Sequence, residues 1–176
     1  QRQDRYTRFN QMIETTTPGS NGLLFLPLTG GRHQSDSEPR GGFIGLSLQH
    51  SHADMGRAIL ESAAYELNWA LEQLGGSGMS INEMWMIGGA ARSPVWPQII
   101  ADAAGLEVLL TQYSHGPALG AAMLAGVGVG VFNTTAESRE KFTVTAAQVH
   151  PDRRHYDAYQ SSYQAYKAAS NHLKQL

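Results

Sequence analysis

Two adjacent glycines, Gly88 and Gly89, separate the apolar run Glu83-Met84-Trp85-Met86-Ile87 from a segment in which Ser93 and Pro94 open helix-forming sequence. Glycine tolerates positive φ and lets main chain come close to a ligand. Ser93 has the chemistry of an N-cap and Pro94 that of a first helical residue. A helix start directed at the glycines offers free N–H groups and about half a positive charge, which suit an anion. The chemistry such a corner could do is to hold a phosphate or nucleoside. A tight strand-to-helix turn with no ligand would use the same residues. The spacing is neither G-x-G-x-x-G nor a Walker loop, so the residues alone leave both readings open.

The elements around the corner follow from periodicity. Residues 4–14 form a short helix, and Thr15 to Gly22 is a turn-rich break. Leu23-Leu24-Phe25-Leu26 and Phe43-Ile44-Gly45-Leu46-Ser47-Leu48 are strands, separated by a polar, glycine-rich loop over 29–42. Ser51 and Asp54 start a long helix in capping-box fashion; Met55, Ala58, Ile59, Ala63, Leu67, Leu71 and Leu74 keep helical spacing, and Gly75-Gly76 stops it. A strand at 83–87, a helix from Pro94 to Ala104, a strand at 108–111 and a helix from Pro117 through Ala125 make a parallel βαβα unit with a right-handed crossover. In that helix Pro97 sits one turn in, where it removes a backbone bond. Residues 127–134 are loop, 135–141 a short helix, and 152–176 a polar helix. In such sheets ligands bind beyond the carboxyl ends of the strands, where Gly88 and Gly89 fall.

Other chemistry-bearing residues have plainer readings. Thr29-Gly30-Gly31-Arg32-His33 is either a cleft-facing loop with Arg32 near a phosphate or a structural loop with a surface ion pair. His50 and His52 form an H-x-H with no third ligand in sight, which favours capping and surface roles. His115 precedes a helix start and reads as a loop histidine. Tyr156, Tyr159, Tyr163 and Tyr166 share one helix face and dock the last helix onto the domain. Glu61 suits a hydrogen bond within the fold. Bulk composition narrows the partners. A net charge of -2 gives no reason to expect nucleic acid or an anionic membrane. No apolar run reaches the roughly 18 residues of a membrane span. The absence of cysteine excludes disulfides and thiolate metal sites and fits a reducing, cytoplasmic setting.

Several segments, in order, resemble the FGGY family of carbohydrate kinases. Gly41-Gly42-Phe43-Ile44-Gly45-Leu46, then Asp54-Met55, then Ala58-Ile59-Leu60-Glu61 reproduce the spacing of the family's C-terminal signature. Ile87-Gly88-Gly89-Ala90-Ala91-Arg92-Ser93-Pro94-Val95-Trp96, with Ile100-Ala101-Asp102 and Gly105, is similar to the family's adenosine turn in its xylulokinase form. Gly116-Pro117-Ala118-Leu119-Gly120-Ala121-Ala122 matches the small-residue helix after the last strand, and Leu23 to Arg32 the strand and loop ahead of the signature. The resemblance covers about residues 6–170. It implies an α/β chain that is part of an actin-like ATPase (ribonuclease H-like) domain, a mixed sheet flanked by helices. It further implies Gly88 and Gly89 near the adenosine and α-phosphate of ATP or ADP. Ala90 and Ala91 would shape the pocket, Ser93 would stand near the adenine, and Arg92 would either cover the pocket or be a solvated surface charge. Mg2+ would arrive with the nucleotide. No catalytic residue and no metal ligand is assigned to this chain.

Family members place the sugar on an N-terminal domain and begin the second domain with a Gly-Gly-Asp-type segment bearing the catalytic aspartate. No such segment occurs here. The expectation is therefore that residues 1–176 are the C-terminal portion of the nucleotide-binding domain, without the sugar-binding domain. Alone they would be inactive, with an open sheet edge that favours dimers. The parent would phosphorylate a sugar, with a lean to a ketopentose such as xylulose over glycerol. The alternatives are a kinase-derived module that binds nucleotide or a partner without catalysis, and an unrelated α/β domain with a purely structural Gly-Gly turn.

Overall fold

The computed structural model describes residues 2–27, 41–111, 115–142 and 145–173, with side chains from Arg5 onward. In chain order these form helix α1 (Arg2–Glu14), strands β1 (Leu24–Leu26) and β2 (Gly42–Ile44), helix α2 (His52–Gly76), strand β3 (Glu83–Met86), helix α3 (Trp96–Ala104), strand β4 (Glu107–Thr111), helices α4 (Gly116–Gly128) and α5 (Thr135–Phe142), strand β5 (Thr145–Val149) and helix α6 (Arg153–Leu173). β1 and β2 pair antiparallel with Phe25 opposite Phe43, whose ring centroids are 5.0 Å apart. β3 and β4 run parallel, Met84 opposite Val108, and β5 closes on β4 antiparallel. The larger sheet is thus mixed, in the order β3-β4-β5.

α2 is the spine. Its start is a complete capping box: the Ser51 hydroxyl accepts from Asp54 N–H at 3.2 Å and the Asp54 carboxylate accepts from Ser51 N–H at 2.8 Å. Two backbone donors at the helix start, the Ser51 and Asp54 N–H groups, are thereby satisfied, at roughly 1 kcal/mol for such a cap. Ala58, Glu61, Tyr65 and Asn68 recur at helical spacing on its buried side. Against them pack α1, α3, α6 and β1. α1 comes close because Gly56 lacks a side chain: a Cβ there would lie 3.0 Å from the Phe9 ring. From α6, Tyr159, Tyr163 and Tyr166 enter the core, their rings grouped about Tyr65 at centroid distances of 6.5, 6.2 and 5.4 Å. Tyr156, on the same face, stays half exposed with its ring over Gly105. α4 is the opposite case: it consists of glycine, alanine, proline, leucine, methionine and valine, yet none of its residues is buried. Among the described residues no helix is long and apolar enough to cross a membrane.

Four sequence expectations need correction. The second strand ends at Ile44 rather than Leu48, because Gly45 turns the chain with φ 82°. α3 begins at Trp96, not Pro94, which puts Pro97 at the helix start, where a missing N–H costs no bond. Residues 127 and 128 continue α4 rather than belonging to a loop. β5 has no counterpart among the expected elements. Residues 28–40, which include Thr29, Gly30, Gly31, Arg32 and His33, lie outside the described residues.

Candidate functional site

β3 ends at Met86, and the chain turns at Gly88 with φ 83°, a left-handed conformation that glycine adopts without strain. Gly89 is different. Its φ of -63° and ψ of -39° are ordinary right-handed values, and a Cβ built on it meets no described residue within 4 Å. Neither backbone geometry nor packing against the described residues therefore requires glycine at 89. The same openness holds at Gly88. Residues 90–92 make one tight turn, closed by Arg92 N–H to Gly89 O at 3.2 Å and Ser93 N–H to Ala90 O at 3.1 Å. Arg92 is exposed, and its side chain forms no ion pair or hydrogen bond with a described residue.

Ser93 is committed inside the protein. Its hydroxyl donates to Asn10 Oδ1 at 2.8 Å and accepts from Trp96 N–H at 3.2 Å. It acts on the start of α3 from two positions ahead of the cap, which is Val95, so the expected Ser93 N-cap and Pro94 first position are displaced. This also lowers the anion-binding capacity of the helix start. The Trp96 N–H is taken by Ser93, and Pro97 has none. The Trp96 indole, donating to Leu60 O at 3.2 Å, fixes this end of α3 to α2. α4 completes the corner. A Cβ on Gly116 would lie 2.3 Å from Ile87 Cδ1, so the start of α4 abuts the residue just before Gly88. The glycine corner thus lies at the carboxyl end of the parallel pair β3 and β4, between the starts of α3 and α4.

Behind α3, Asp102 is buried and ties the helix to the entry of α6. Its carboxylate accepts Gln98 Nε2 and the Asp152 N–H, each at 2.7 Å, and faces His155 Nδ1 at 2.9 Å. Glu61, 1% exposed, accepts Gly19 N–H at 2.9 Å, the Ser20 hydroxyl at 2.8 Å and Arg57 Nε at 2.8 Å. It holds the turn ahead of β1, an internal role as its position suggested. His50 is likewise structural: Nδ1 accepts Ser47 N–H at 2.9 Å, which leaves the proton on Nε2, 3.3 Å from Asn21 O. His115 is exposed at the entrance to α4 and caps nothing with its side chain. A hollow of about 420 Å³ between α4 and α5, lined by residues such as Met123, Leu124 and Arg139, is separate from the corner: none of residues 88–93 lines it. Sequence reasoning missed Asn10, a polar residue in a polar helix whose only signal is the bond it makes across 83 residues.

The mixed α/β fold agrees with what the comparisons with known proteins show. The chain belongs to the FGGY family of carbohydrate kinases: the model of that family's C-terminal domain matches residues 2–129. Among curated relatives, the xylulose kinase of Staphylococcus epidermidis is 36% identical over 160 residues, covering 90% of this chain and 32% of the relative. The xylulose kinase of Bacillus subtilis is 33% identical over 175 residues, covering 98% of this chain and 35% of the relative. The solved xylulose kinase of Rhodospirillum rubrum superposes with a TM-score of 0.81 at 27% identity, over 96% of this chain and 34% of that one. The glycerol kinase of Plasmodium falciparum, solved with ADP, shares the fold at a TM-score of 0.71 and 20% identity, over 94% of this chain and 33% of that one. The fold is the actin-like ATPase fold of these sugar kinases. The chain spans about a third of the length of the relatives it matches.

Proposed function

We propose that residues 1–176 form the nucleotide-holding, C-terminal portion of an ATP-dependent sugar kinase, acting in the cytoplasm on a ketopentose such as xylulose bound mainly by a domain outside this chain. The observation that carries this reading is Gly89, a glycine that neither its dihedrals nor its neighbours among the described residues call for. A bare corner with unused space at the end of a parallel strand pair is what a nucleoside needs in order to lie against main chain. The substrate class rests on relatives named xylulose kinase at 33 and 36% identity.

In this reading Gly88 and Gly89 give main-chain contact to the adenosine and α-phosphate, and Ala90 and Ala91 leave room beside them. The guanidinium of Arg92, without a partner among the described residues, screens phosphate charge. ATP supplies the transferable phosphoryl group, and Mg2+ arrives with its phosphates. Phosphoryl transfer depends on positioning both substrates and stabilising charge around the γ-phosphate. The Gly-Gly-Asp-type segment that would supply a proton acceptor does not occur in the sequence, so this chain alone is expected to bind nucleotide without turning it over.

Calorimetry with ADP tests the site. Gly89→Val should abolish measurable binding while leaving the melting temperature within a few degrees of the parent. Equal affinity in both proteins would remove the nucleotide reading. Turnover of ATP and xylulose by residues 1–176 alone would remove the division of labour.

A further inference from the structure

The environment of Ser93 assigns a role to a residue far from it in sequence. A serine hydroxyl has one hydrogen to give. Here that hydrogen goes to Asn10 Oδ1, and the oxygen accepts from Trp96 N–H. Ser93 therefore has no hydrogen left for a base at the corner. Asn10 does. Its carboxamide oxygen is taken by Ser93, while its amide nitrogen makes no hydrogen bond to a described residue, which leaves two N–H donors. Asn10 is also held in place. Ile13, three residues on and fully buried, and Phe9 press α1 against α2 at Gly56. The Ser93 bond then fixes which end of the amide faces the serine, and so which end is presented elsewhere.

We propose that Asn10 is the base-reading residue of this corner: a donor-only amide, oriented by Ser93, that gives a hydrogen bond to an acceptor nitrogen of the purine ring. This rests on the nucleotide reading above and adds the residue that recognises the base. A carboxamide whose oxygen is already engaged offers only N–H groups, so it selects a ligand edge that accepts.

The test uses the 176-residue chain and adenosine, a neutral probe on which a new charge at position 10 exerts no phosphate repulsion. Asn10→Asp keeps an oxygen for the Ser93 hydroxyl and removes the donors. It should bind adenosine about tenfold more weakly, the upper range for one hydrogen bond, with a melting temperature like the parent's. The deazaadenosines, each lacking one ring acceptor, supply the readout that a structural role would not move. One of them should bind the parent as weakly as adenosine binds Asn10→Asp, and should lose nothing further in that variant. Unchanged adenosine affinity in Asn10→Asp overturns the proposal, as does an equal penalty with every deaza analogue. Gly89→Val separates the two failures. If it abolishes adenosine binding while Asn10→Asp does not weaken it, the corner holds the nucleotide and Asn10 does not read it. If the parent itself binds no adenosine, the site reading and the Asn10 role fall together.

Discussion

The Glu61 carboxylate offers the sharpest test of how this fold is held. Glu61 and Arg57 lie one turn apart on α2, 1% and 8% exposed. Burial pushes the Glu61 carboxyl above its ordinary value, against the pull of Arg57 and of the donors from Ser20 and Gly19. Arg57 spends its other nitrogens on neutral partners, Thr16 O at 3.1 Å and the Tyr159 hydroxyl at 2.7 Å. In Glu61→Gln the hydrogen bonds can all survive. The amide oxygen still accepts from Gly19 and Arg57, and the amide nitrogen donates to a Ser20 hydroxyl that turns round. What disappears is the charge that balances Arg57. Leaving a buried charge without its partner costs about 3–5 kcal/mol, a large part of the roughly 5–15 kcal/mol that stabilises a domain. Urea unfolding should show it as a midpoint lowered by about 2 M, at a slope near 2 kcal/mol/M. Arg57→Met should be similarly harmful, and the double variant should lose clearly less than the two combined, by roughly 1–3 kcal/mol. A loss under about 1 kcal/mol in Glu61→Gln, or simple additivity in the cycle, would refute the account of a mutually dependent buried pair.

Three further outcomes are expected. Gly89→Ala should leave stability unchanged or raise it by about 0.4–1 kcal/mol, whereas Gly88→Ala, at φ 83°, should cost about 1–2 kcal/mol; thermal melts distinguish them. Gly116→Ala puts a methyl 2.3 Å from Ile87 Cδ1 and should destabilise by about 1 kcal/mol, a loss that Ile87→Val, which removes that atom, should largely restore in urea titrations. Asp54 is held below its ordinary value of 3.8, first by the Ser51 hydroxyl and then by the Ser51 N–H. Because the folded value is the lower one, this stability is present above about pH 4 and is lost as pH falls through the folded value. Ser51→Ala should cost about 1 kcal/mol at neutral pH and flatten that acid limb in unfolding midpoints followed from pH 6 to 2.

What the sequence disclosed was local or periodic. The Ser51–Asp54 box and the tyrosines at 159, 163 and 166 are patterns within one helix, and the structure realises both. The parallel pairing of β3 and β4 was legible because a helix stands between two apolar runs. β5 was not, since Thr145-Ala146-Ala147-Gln148-Val149 carries no alternation and is mostly exposed; its pairing to β4 makes it a strand. The start of α3 was misplaced because Ser93-Pro94 is a good local start signal, while Pro97 is better accommodated when the helix begins beside it. The glycines of the corner could be picked out, but not the lack of described neighbours around Gly89, which is a property of the packed chain and not of local sequence. The Ser93–Asn10 bond joins residues 83 apart, and no window along the chain reports it.

The seating of α6 bears on where this domain can be cut. The matched family segment stops at residue 129, and a boundary drawn there looks natural on paper. Such a product would lack Tyr159, Tyr163 and Tyr166, the rings that shield Tyr65, and would leave Arg57 without the phenol it holds across 102 residues. A shortened clone ending near 129 should therefore come out of expression insoluble or molten, while one that retains the chain through Leu173 keeps the aromatic plug that seals the interior.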